Sequence, residues 1–313
     1  MEVLIAGGAG DVGGYLSRYL LDRGFGVKVY DLKDKMPEAW GKNLSGYFRG
    51  DLVDRKKVEE ALKDVDIVIN LAWSFAEDPY IIFERDIKGH LNLLETACKL
   101  GVKRFVYTST ATVYGRAVTH PVSEDHPCLL EEARKPLYAL GKFTAEKLCL
   151  MYQRERGLPV TIFRFWWAFG DTIGGRHLRN LIHTALENKP LEMVPGAGGT
   201  FVTMLDLAEA IRLAVENPAA AGQVYNVGSL FLTWEEIGAM IIDLTGSNST
   251  LNLIPSARWR GPTFLNEVWD LSWDKLAREL GYRPQVKIPE MRAMFTKALK
   301  NCIAQVKTEE KPS

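Results

Sequence analysis

Three glycines close to the N-terminus constrain the fold more than any other feature of the sequence. Gly7, Gly10 and Gly13 follow a short apolar run with the spacing Gly-x-x-Gly-x-x-Gly. Glycine at such positions permits a tight turn from a strand into a helix and lets a phosphate approach the backbone closely. The free N–H groups of the following helix would face that phosphate. The segment predicts a dinucleotide-binding turn, although the same spacing alone also fits a turn that serves packing only.

Short β-rich segments alternate with longer helical patterns through the first 170 residues. This alternation is typical of β-α-β units and predicts an α/β protein with a Rossmann-type, doubly wound parallel sheet. Glycines at positions 101 and 157 follow two of the predicted helices, where glycine favours the left-handed conformation of a helix end. The predicted strands are 3–6, 26–30, 46–49, 66–72, 104–109 and 160–165, and the predicted helices are 12–23, 56–62, 83–100 and 137–156.

The pattern loosens beyond residue 170 into pieces rich in Gly and Pro, separated by predicted helices at 177–188, 205–215 and 234–244. Such a pattern indicates a lobe that covers a substrate. We therefore predict a dinucleotide-binding domain over residues 1–170 and a smaller, mixed substrate-binding lobe over 171–306, from which some segments return to the sheet. The charged residues 307–313 are predicted to form a flexible tail.

Composition and charge exclude several classes of protein. Lys and Arg number 39 and so do Asp and Glu, so the formal net charge is zero and no overall field attracts nucleic acid or an anionic membrane. No apolar run approaches the ~18 residues of a membrane-spanning helix. The four cysteines form no C-x-x-C pair, and the five histidines have no zinc-like spacing. The sequence predicts a cytoplasmic protein without a metal, a nucleic-acid partner or a membrane partner.

An acidic residue ends the second predicted strand. Asp31 lies about twenty positions after the glycines, where a carboxylate accepts hydrogen bonds from the ribose hydroxyls of the adenosine. Because a carboxylate there repels a 2′-phosphate, the sequence favours NAD over NADP. Nearby lysines, at positions 28, 33 and 35, leave NADP open, and a simple loop cap is the alternative role of Asp31.

A tyrosine and a lysine lie four residues apart on a predicted helix. Tyr138 and Lys142 therefore share one helix face, where the ammonium group is expected to lower the pKa of the phenol and make it a general base. A hydroxyl-rich segment ends the strand before this helix, at the edge of the sheet where ligands of doubly wound folds bind. Its Thr110 is placed to hydrogen-bond the substrate oxygen that Tyr138 deprotonates. Local turns are the alternative role of these hydroxyls.

Taken in order, these segments resemble the extended short-chain dehydrogenase/reductases, and specifically the NAD-dependent epimerase/dehydratase branch typified by UDP-galactose 4-epimerase. The resemblance includes Asp51-Leu52, Asn70-Leu-Ala72 and Val113-Tyr-Gly115 and implies NAD as cofactor, with catalytic Thr110, Tyr138 and Lys142. It also implies a homodimer formed through helices 83–100 and 137–156. The residues expected to bind the cofactor are Gly7, Gly10, Asp11, Val12, Gly13, Asp31, Leu32, Asp51, Leu52, Leu71, Ala72, Trp73, Thr108, Tyr138 and Lys142.

Departures from the family pattern bear on the substrate. Dehydratases and decarboxylases of this branch have an acidic residue two positions after the catalytic threonine, whereas this chain has Thr112. An asparagine usual in the nucleotide-sugar enzymes is replaced by Trp167, and an arginine that pairs with the diphosphate is replaced within Gly198-Gly-Thr200. Arginines further along, Arg179 among them, are possible compensating cations. The predicted substrate-binding residues are Thr110, Trp167, Arg176, Arg258 and Arg260, with core packing as the alternative for the tryptophan and a solvated surface position for the arginines.

These observations favour an NAD-dependent nucleotide-sugar epimerase of the UDP-glucose/galactose type. It would act by transient hydride transfer through a keto intermediate on a small-molecule substrate. The alternative enzyme is an NAD-dependent dehydrogenase or reductase of a smaller alcohol, sugar acid or amino alcohol, which the missing asparagine and arginine favour. A non-catalytic NAD-binding protein is the remaining hypothesis, and the intact Thr110, Tyr138 and Lys142 argue against it.

Overall fold

The computed structural model describes residues 1–35 and 43–309. Its strands are β1 (Glu2–Ala6), β2 (Gly26–Asp31), β3 (Gly46–Arg49), β4 (Ile67–Asn70), β5 (Arg104–Thr108), β6 (Val160–Arg164), β7 (Trp167–Phe169), β8 (Leu191–Met193), β9 (Gly198–Thr203), β10 (Gln223–Asn226), β11 (Leu230–Thr233), β12 (Leu251–Leu253) and β13 (Val268–Trp269). Its longer helices are α1 (Asp11–Leu21), α2 (Arg55–Ala61), α3 (Lys88–Leu100), α4 (Pro136–Arg156), α5 (Arg176–Leu186), α6 (Met204–Glu216), α7 (Trp234–Thr245), α8 (Asp274–Leu280) and α9 (Ile288–Glu309).

The six strands of the first 165 residues and β10 form a seven-stranded sheet. Its strand order is β10-β6-β5-β4-β1-β2-β3. Every neighbouring pair is parallel, which confirms the predicted doubly wound α/β fold. The chain proceeds outward from β1 in one direction through β2 and β3, and then in the other through β4, β5 and β6. Ligands of such sheets bind at the carboxyl ends of the strands where this reversal occurs. The fold therefore places a binding crevice beyond β1 and β4.

Alternating side chains of the central strands enter two separate cores. On β1, Val3 and Ile5 pack with α1, α6 and α8, whereas Leu4 and Ala6 pack on the opposite face with α2, α3 and α4. Successive strand residues point to opposite faces, so helices on both sides bury a strand that is apolar throughout. Helices α3 and α4 end at Gly101 and Gly157, whose φ values of 68° and 69° confirm the predicted left-handed ends.

The helical segment before β5 begins earlier than predicted. It starts with an α-turn at Pro79–Ile81, continues as a π-helix over Ile82–Ile87 and becomes α3. The side chain of Asp78 accepts a 2.8 Å hydrogen bond from the N–H of Tyr80, and Pro79 takes the first helical position. Asp followed by Pro is a favourable helix start. The predicted start at residue 83 missed this pair.

The C-terminal half forms a second core beside the main sheet. Strand β9 pairs with β11 on one edge and with β7 and β13 on the other, and β8 pairs with β12. Strand β10 joins the main sheet beside β6, so the chain crosses between the two parts. Helix α9 continues through Glu309, three residues into the predicted flexible tail, while residues 310–313 lie outside the described residues.

The described residues can be searched for membrane-spanning helices, metal-binding groups and disulfide bonds. No helix within 1–35 and 43–309 is long and apolar enough to cross a membrane. The same residues contain no group of three His, Cys, Asp or Glu side chains arranged to hold a metal ion. All four cysteines are free thiols.

Candidate active site

The glycine turn between β1 and α1 forms the floor of a cleft at the carboxyl edge of the sheet. Gly7 has a φ of +79°, and a Cβ there would lie 2.8 Å from the backbone nitrogen of Ala72. A Cβ on Gly13 would lie 2.4 Å from the carbonyl oxygen of Gly7, so α1 starts directly against the turn. Glycine is therefore needed at both positions to bring the helix N-terminus to the cleft.

The cleft encloses about 240 Å³. It brings together most of the residues predicted to bind the cofactor, which come from the ends of four strands. The predicted residues that line it are Gly7, Gly10, Asp31, Leu32, Asp51, Leu52, Leu71, Ala72 and Trp73. Sequence reasoning did not identify Ser74, Phe75, Arg85 and Asp86, which line it as well. Ser74 and Asp86 are joined by two hydrogen bonds across the cleft wall, a long-range contact that no local pattern reveals.

Asp31 is held firmly at the mouth of the cleft. Its carboxylate accepts hydrogen bonds from the N–H groups of Ala9 at 2.9 Å and Lys33 at 3.0 Å. The ammonium group of Lys33 donates in turn to the carbonyl oxygen of Ala9 at 2.8 Å. Asp51, just beyond the end of the neighbouring strand β3, forms an ion pair with Arg85 at 2.6 Å. The carboxylate of Asp31 is thus fixed in position at the place predicted for ribose recognition.

Two features of the cleft fit a dinucleotide. A Cβ on Gly10 would meet only the carbonyl oxygen of Gly7, at 3.5 Å, so it would project into the open cradle above the turn. The indole nitrogen of Trp73 is buried and has no hydrogen-bond partner among the described residues. An open backbone surface suits a diphosphate, and an unsatisfied buried donor suits a polar ligand group.

The predicted catalytic side chains meet at the end of β5. Thr110 caps a 3₁₀ turn, and its hydroxyl accepts a 3.2 Å hydrogen bond from the N–H of Thr112. Tyr138 lies near the start of α4, and the Thr110 hydroxyl lowers the pKa of its phenol. Its ring stacks on Phe75 with 5.8 Å between centroids and meets the edge of Trp73 at 6.3 Å. Tyr138 therefore touches the side chains that line the cofactor cleft.

Burial changes the pKa values of Tyr138 and Lys142 more than the proximity of the two side chains does. It raises the pKa of Tyr138 to about 12, and the Thr110 hydroxyl offsets only part of this rise. It lowers the pKa of Lys142 to about 7, opposed by Asp86 and Glu146. The Lys142 ammonium donates to the carbonyl oxygen of Thr108 at 2.9 Å. The expected lowering of the tyrosine pKa by this lysine is therefore wrong, because desolvation of the phenol dominates.

A second cavity, of about 290 Å³, adjoins Tyr138 on the side of the C-terminal half. Its lining includes Trp167 and Arg176, both predicted to bind substrate, and Thr112. Residues that were not predicted to bind substrate also line it: Gly115, Arg134, Lys135, Trp166, Gly175, Thr263, Phe264, Glu267 and Trp269. Arg134 lies only four residues before Tyr138, which is the one signal in the sequence that favours it.

The structure does not bring the other predicted arginines to this cavity. Arg258 and Arg260 are exposed and are absent from its lining. The guanidinium of Arg260 donates to the carbonyl oxygen of Trp259 at 3.0 Å. Arg179 pairs with Glu309 of α9. Of the arginines considered as compensating cations, only Arg176 lines the cavity in the described part of the chain.

Two tryptophans take the space around the positions that depart from the family pattern. A Cβ on Gly199 would lie 2.1 Å from the Trp166 ring, and a Cβ on Gly175 would lie 2.1 Å from the Trp167 ring. The indole N–H of Trp167 donates to the carbonyl oxygen of Gly174 at 2.9 Å. Each indole is therefore packed against a glycine backbone and forms part of the cavity wall.

The cavity offers one carboxyl group among its lining residues. Glu267 is partly buried, and burial raises its pKa. At the position two residues after Thr110, the neutral hydroxyl of Thr112 lies 3.0 Å from the Thr110 hydroxyl. An acid at that position is therefore absent, and the hydroxyl pair provides hydrogen bonds without a titratable group.

Comparisons with known proteins agree with this architecture. The model of the NAD dependent epimerase/dehydratase family matches residues 3–228. The chain is 31% identical over 270 residues to UDP-N-acetyl-alpha-D-glucosaminuronate decarboxylase from Bacillus cytotoxicus, covering 80% of this chain and 83% of the relative.

Two solved structures share the fold over nearly the whole chain. UDP-glucose 4-epimerase from Thermus thermophilus, in complex with NAD, is 27% identical with a TM-score of 0.72 and coverage of 98% and 99% of the two chains. The dTDP-glucose 4,6-dehydratase DesIV from Streptomyces venezuelae, with NAD bound, is 26% identical with a TM-score of 0.77 and coverage of 97% and 98%. The chain belongs to the NAD-dependent epimerase/dehydratase family of extended short-chain dehydrogenase/reductases, and its cofactor is NAD.

Proposed function

We propose that the protein is an epimerase that inverts a hydroxyl-bearing carbon of a nucleotide sugar. The observation that carries this proposal is the position of Tyr138. Its side chain lines the substrate cavity, while its ring contacts Trp73 and Phe75 of the cofactor cleft. A hydroxyl bound in the cavity can therefore reach the phenol beside the cofactor site.

Side chains of the protein carry out the proton transfer. Tyr138 exchanges a proton with the substrate hydroxyl, and Thr110 holds that hydroxyl in place by a hydrogen bond. Lys142 lies buried four residues from Tyr138, and its pKa of about 7 lets it gain or lose a proton near neutral pH. When bound in the cofactor cleft, NAD would supply the hydride chemistry that oxidises and re-reduces the carbinol carbon held beside Tyr138.

The cofactor cleft supplies the residues that would hold NAD. The glycine turn would bind the diphosphate, Asp31 the adenosine ribose, and Asp51 with Leu52 the adenine. Leu71, Ala72 and Trp73 would line the rest of the cleft, and Asp11, Val12, Gly13, Thr108, Tyr138 and Lys142 would complete the site.

The residue two positions after Thr110 favours epimerisation over elimination or decarboxylation. Thr112 provides a neutral hydroxyl where the resemblance implies an acid in the dehydratases and decarboxylases of this branch. Elimination of water requires a group that protonates the leaving hydroxyl. The relative with 31% identity is a decarboxylase, and the neutral Thr112 is our reason for proposing a different reaction for this chain.

A second candidate function is a net NAD-dependent dehydrogenase acting on a smaller hydroxy compound. Trp166 and Trp167 occupy the space beside Gly199 and Gly175. The cavity volume of about 290 Å³ lies at the lower end of the range for ligand pockets. Both features favour a substrate shorter than a nucleotide sugar.

One experiment separates the two candidates. The purified protein is incubated with NAD and a panel of UDP- and dTDP-sugars, and in parallel with NAD and free sugar acids, sugars and amino alcohols. Isomer composition is followed by NMR spectroscopy and NADH by absorbance. Isomer conversion without accumulation of NADH supports the epimerase, whereas NADH formed in proportion to substrate consumed would contradict it and support the dehydrogenase.

We also propose that the protein is a homodimer formed through the segments at 82–100 and 136–156. Both segments expose apolar side chains: Phe83, Leu100, Leu137, Leu140 and Met151. Light scattering after size exclusion would give a dimer mass, and replacement of Leu137 and Leu140 by Lys would shift it to the monomer. The four free thiols favour the cytoplasm as its location, to be tested by cell fractionation.

A further inference from the structure

Two arginines line the substrate cavity on the same side as Tyr138. Arg134 lies in the loop before α4, and Arg176 is the first residue of α5. Neither forms an ion pair with any residue in the described part of the chain, whereas Arg116 and Arg179 pair with glutamates. The cavity therefore contains two guanidinium groups that form no direct ion pair with a carboxylate in the described part of the chain.

Arg134 is held in place by an aromatic ring. Its guanidinium lies 4.1 Å from the ring centroid of Phe264, a side chain that belongs to the core of the C-terminal half. Stacking on a fixed ring reduces the freedom that the arginine loses when it binds a ligand. The arginine is therefore preorganised before any ligand arrives.

The positive charges of Arg134 and Arg176 repel each other. Burial lowers the pKa of Arg134, and the positive charge of Arg176 lowers it further. Glu77, the acidic residue that acts on both arginines, is itself bound to Lys135 at 2.7 Å. Glu267 lines the same cavity, where burial raises its pKa. A bound anion would remove the repulsion between the two arginines, and its binding energy would include this relief.

We propose that Arg134 and Arg176 form an anion-binding site for the acidic group of the substrate, a phosphate or a carboxylate. Guanidinium groups bind both oxyanions through paired hydrogen bonds. Trp167 and Phe264 contribute aromatic side chains to the lining of the same cavity. In the context of the proposed function, this site holds the charged end of the substrate while Tyr138 acts on the hydroxyl-bearing carbon.

Binding to the NAD-loaded protein tests the site without requiring turnover. Three ligands are titrated by calorimetry: UDP as the phosphate probe, D-glucuronate as the carboxylate probe, and uncharged D-glucose. The variants are Arg134→Gln, Arg176→Gln and the double variant, and Arg258→Gln is the matched control because Arg258 is exposed outside the cavity. Each single variant is expected to weaken binding of the charged probe about tenfold or more, as for loss of a charged hydrogen bond.

The outcomes distinguish the anion and separate this proposal from the proposed function. Selective weakening for UDP identifies a phosphate site, and selective weakening for D-glucuronate identifies a carboxylate site. Equal affinity of wild type and variants for both charged probes, or no binding of either probe by the wild type, would overturn the proposal. Unchanged NAD affinity confirms that the variants are folded. Failure of the epimerase proposal would instead appear as wild-type protein that binds a charged probe but converts no nucleotide sugar.

Discussion

The indole ring of Trp166 occupies the space that any side chain at position 199 would need. A Cβ built on Gly199 would lie 2.1 Å from the ring, which is closer than two non-bonded carbon atoms can approach. The ring is held there by edge-on contacts with Phe201 at 5.2 Å and Trp234 at 5.6 Å between centroids. The residue types at positions 166 and 199 therefore depend on each other, and together they shape the wall of the substrate cavity.

This dependence predicts a strong coupling between two substitutions. Gly199→Ala is expected to destabilise the protein by about 1–3 kcal/mol because the methyl group overpacks the core. In a Trp166→Leu background the destabilisation caused by Gly199→Ala should fall to a few tenths of a kcal/mol. A double-mutant cycle of urea unfolding measures this difference. Gly174→Ala is the control, since a Cβ there meets nothing within 4 Å. An identical cost in both backgrounds would show that the two residues are independent.

The features that the sequence predicts well depend on local chemistry. The strands of the first half, the glycine turn and the glycine ends of α3 and α4 follow from apolar runs and from the conformations that only glycine adopts readily. The pairing of Asp31 with the turn also follows, because a carboxylate that ends the second parallel strand lies beside the end of the first. The fold, and the cleft that its glycine turn forms at the carboxyl edge of the sheet, were therefore predictable.

The substrate cavity was less predictable because its wall is assembled from distant segments. Gly199 meets Trp166 and Phe264 meets Arg134 across separations that no sequence period encodes. The sequence does not distinguish Arg258, which lies outside the cavity, from Arg134, which lines it. The direction of the Tyr138 pKa shift also depended on burial, which the i,i+4 spacing does not report.

The phenol of Tyr138 provides the second prediction. Tyr138→Phe keeps the ring packing against Phe75 and Trp73 and removes only the hydroxyl. If the phenol exchanges the substrate proton, turnover should fall by about 10²–10⁴ while NAD affinity falls far less, because the other residues of the cleft are kept. Tyr80→Phe, at a side chain that is 72% exposed, should behave as the wild type. Full turnover of the Tyr138 variant would exclude it as the acid–base group.

Cofactor selectivity provides the third prediction. Asp31→Asn keeps an oxygen that can accept the hydrogen bond from Ala9 but removes the negative charge. Affinity for NADPH relative to NADH should therefore rise about tenfold, since repulsion of the 2′-phosphate is lost. Fluorescence titration with both reduced cofactors measures the ratio. Asp34→Asn, which alters an exposed ion pair with Arg49, should leave it unchanged. If the Asp31 variant loses both affinities equally, the carboxylate does not select between the cofactors.

Burial of Lys142 leads to a prediction about stability. Its pKa of about 7 in the folded protein lies below the ordinary value of 10.5. Between these values the unfolded chain binds a proton that the folded protein does not, so the stability of the wild type rises with pH across this window. Below pH 7 the destabilisation from burying the charged group is fully present. Catalysis and stability therefore make opposite demands at this position.

Lys142→Met keeps the apolar stem and removes the charge. At pH 7 and without NAD, the variant should be more stable than the wild type by on the order of 2–4 kcal/mol, since relief of the buried charge exceeds loss of the hydrogen bond to Thr108. This advantage should shrink as the pH approaches 10, because the wild type gains stability there and the variant does not. Urea unfolding at several pH values measures both curves, with Lys147→Met, an exposed lysine on the same helix, as the control. A stability difference that stays constant from pH 7 to pH 10 would mean that Lys142 remains protonated in the folded protein and does not gain or lose a proton near neutral pH.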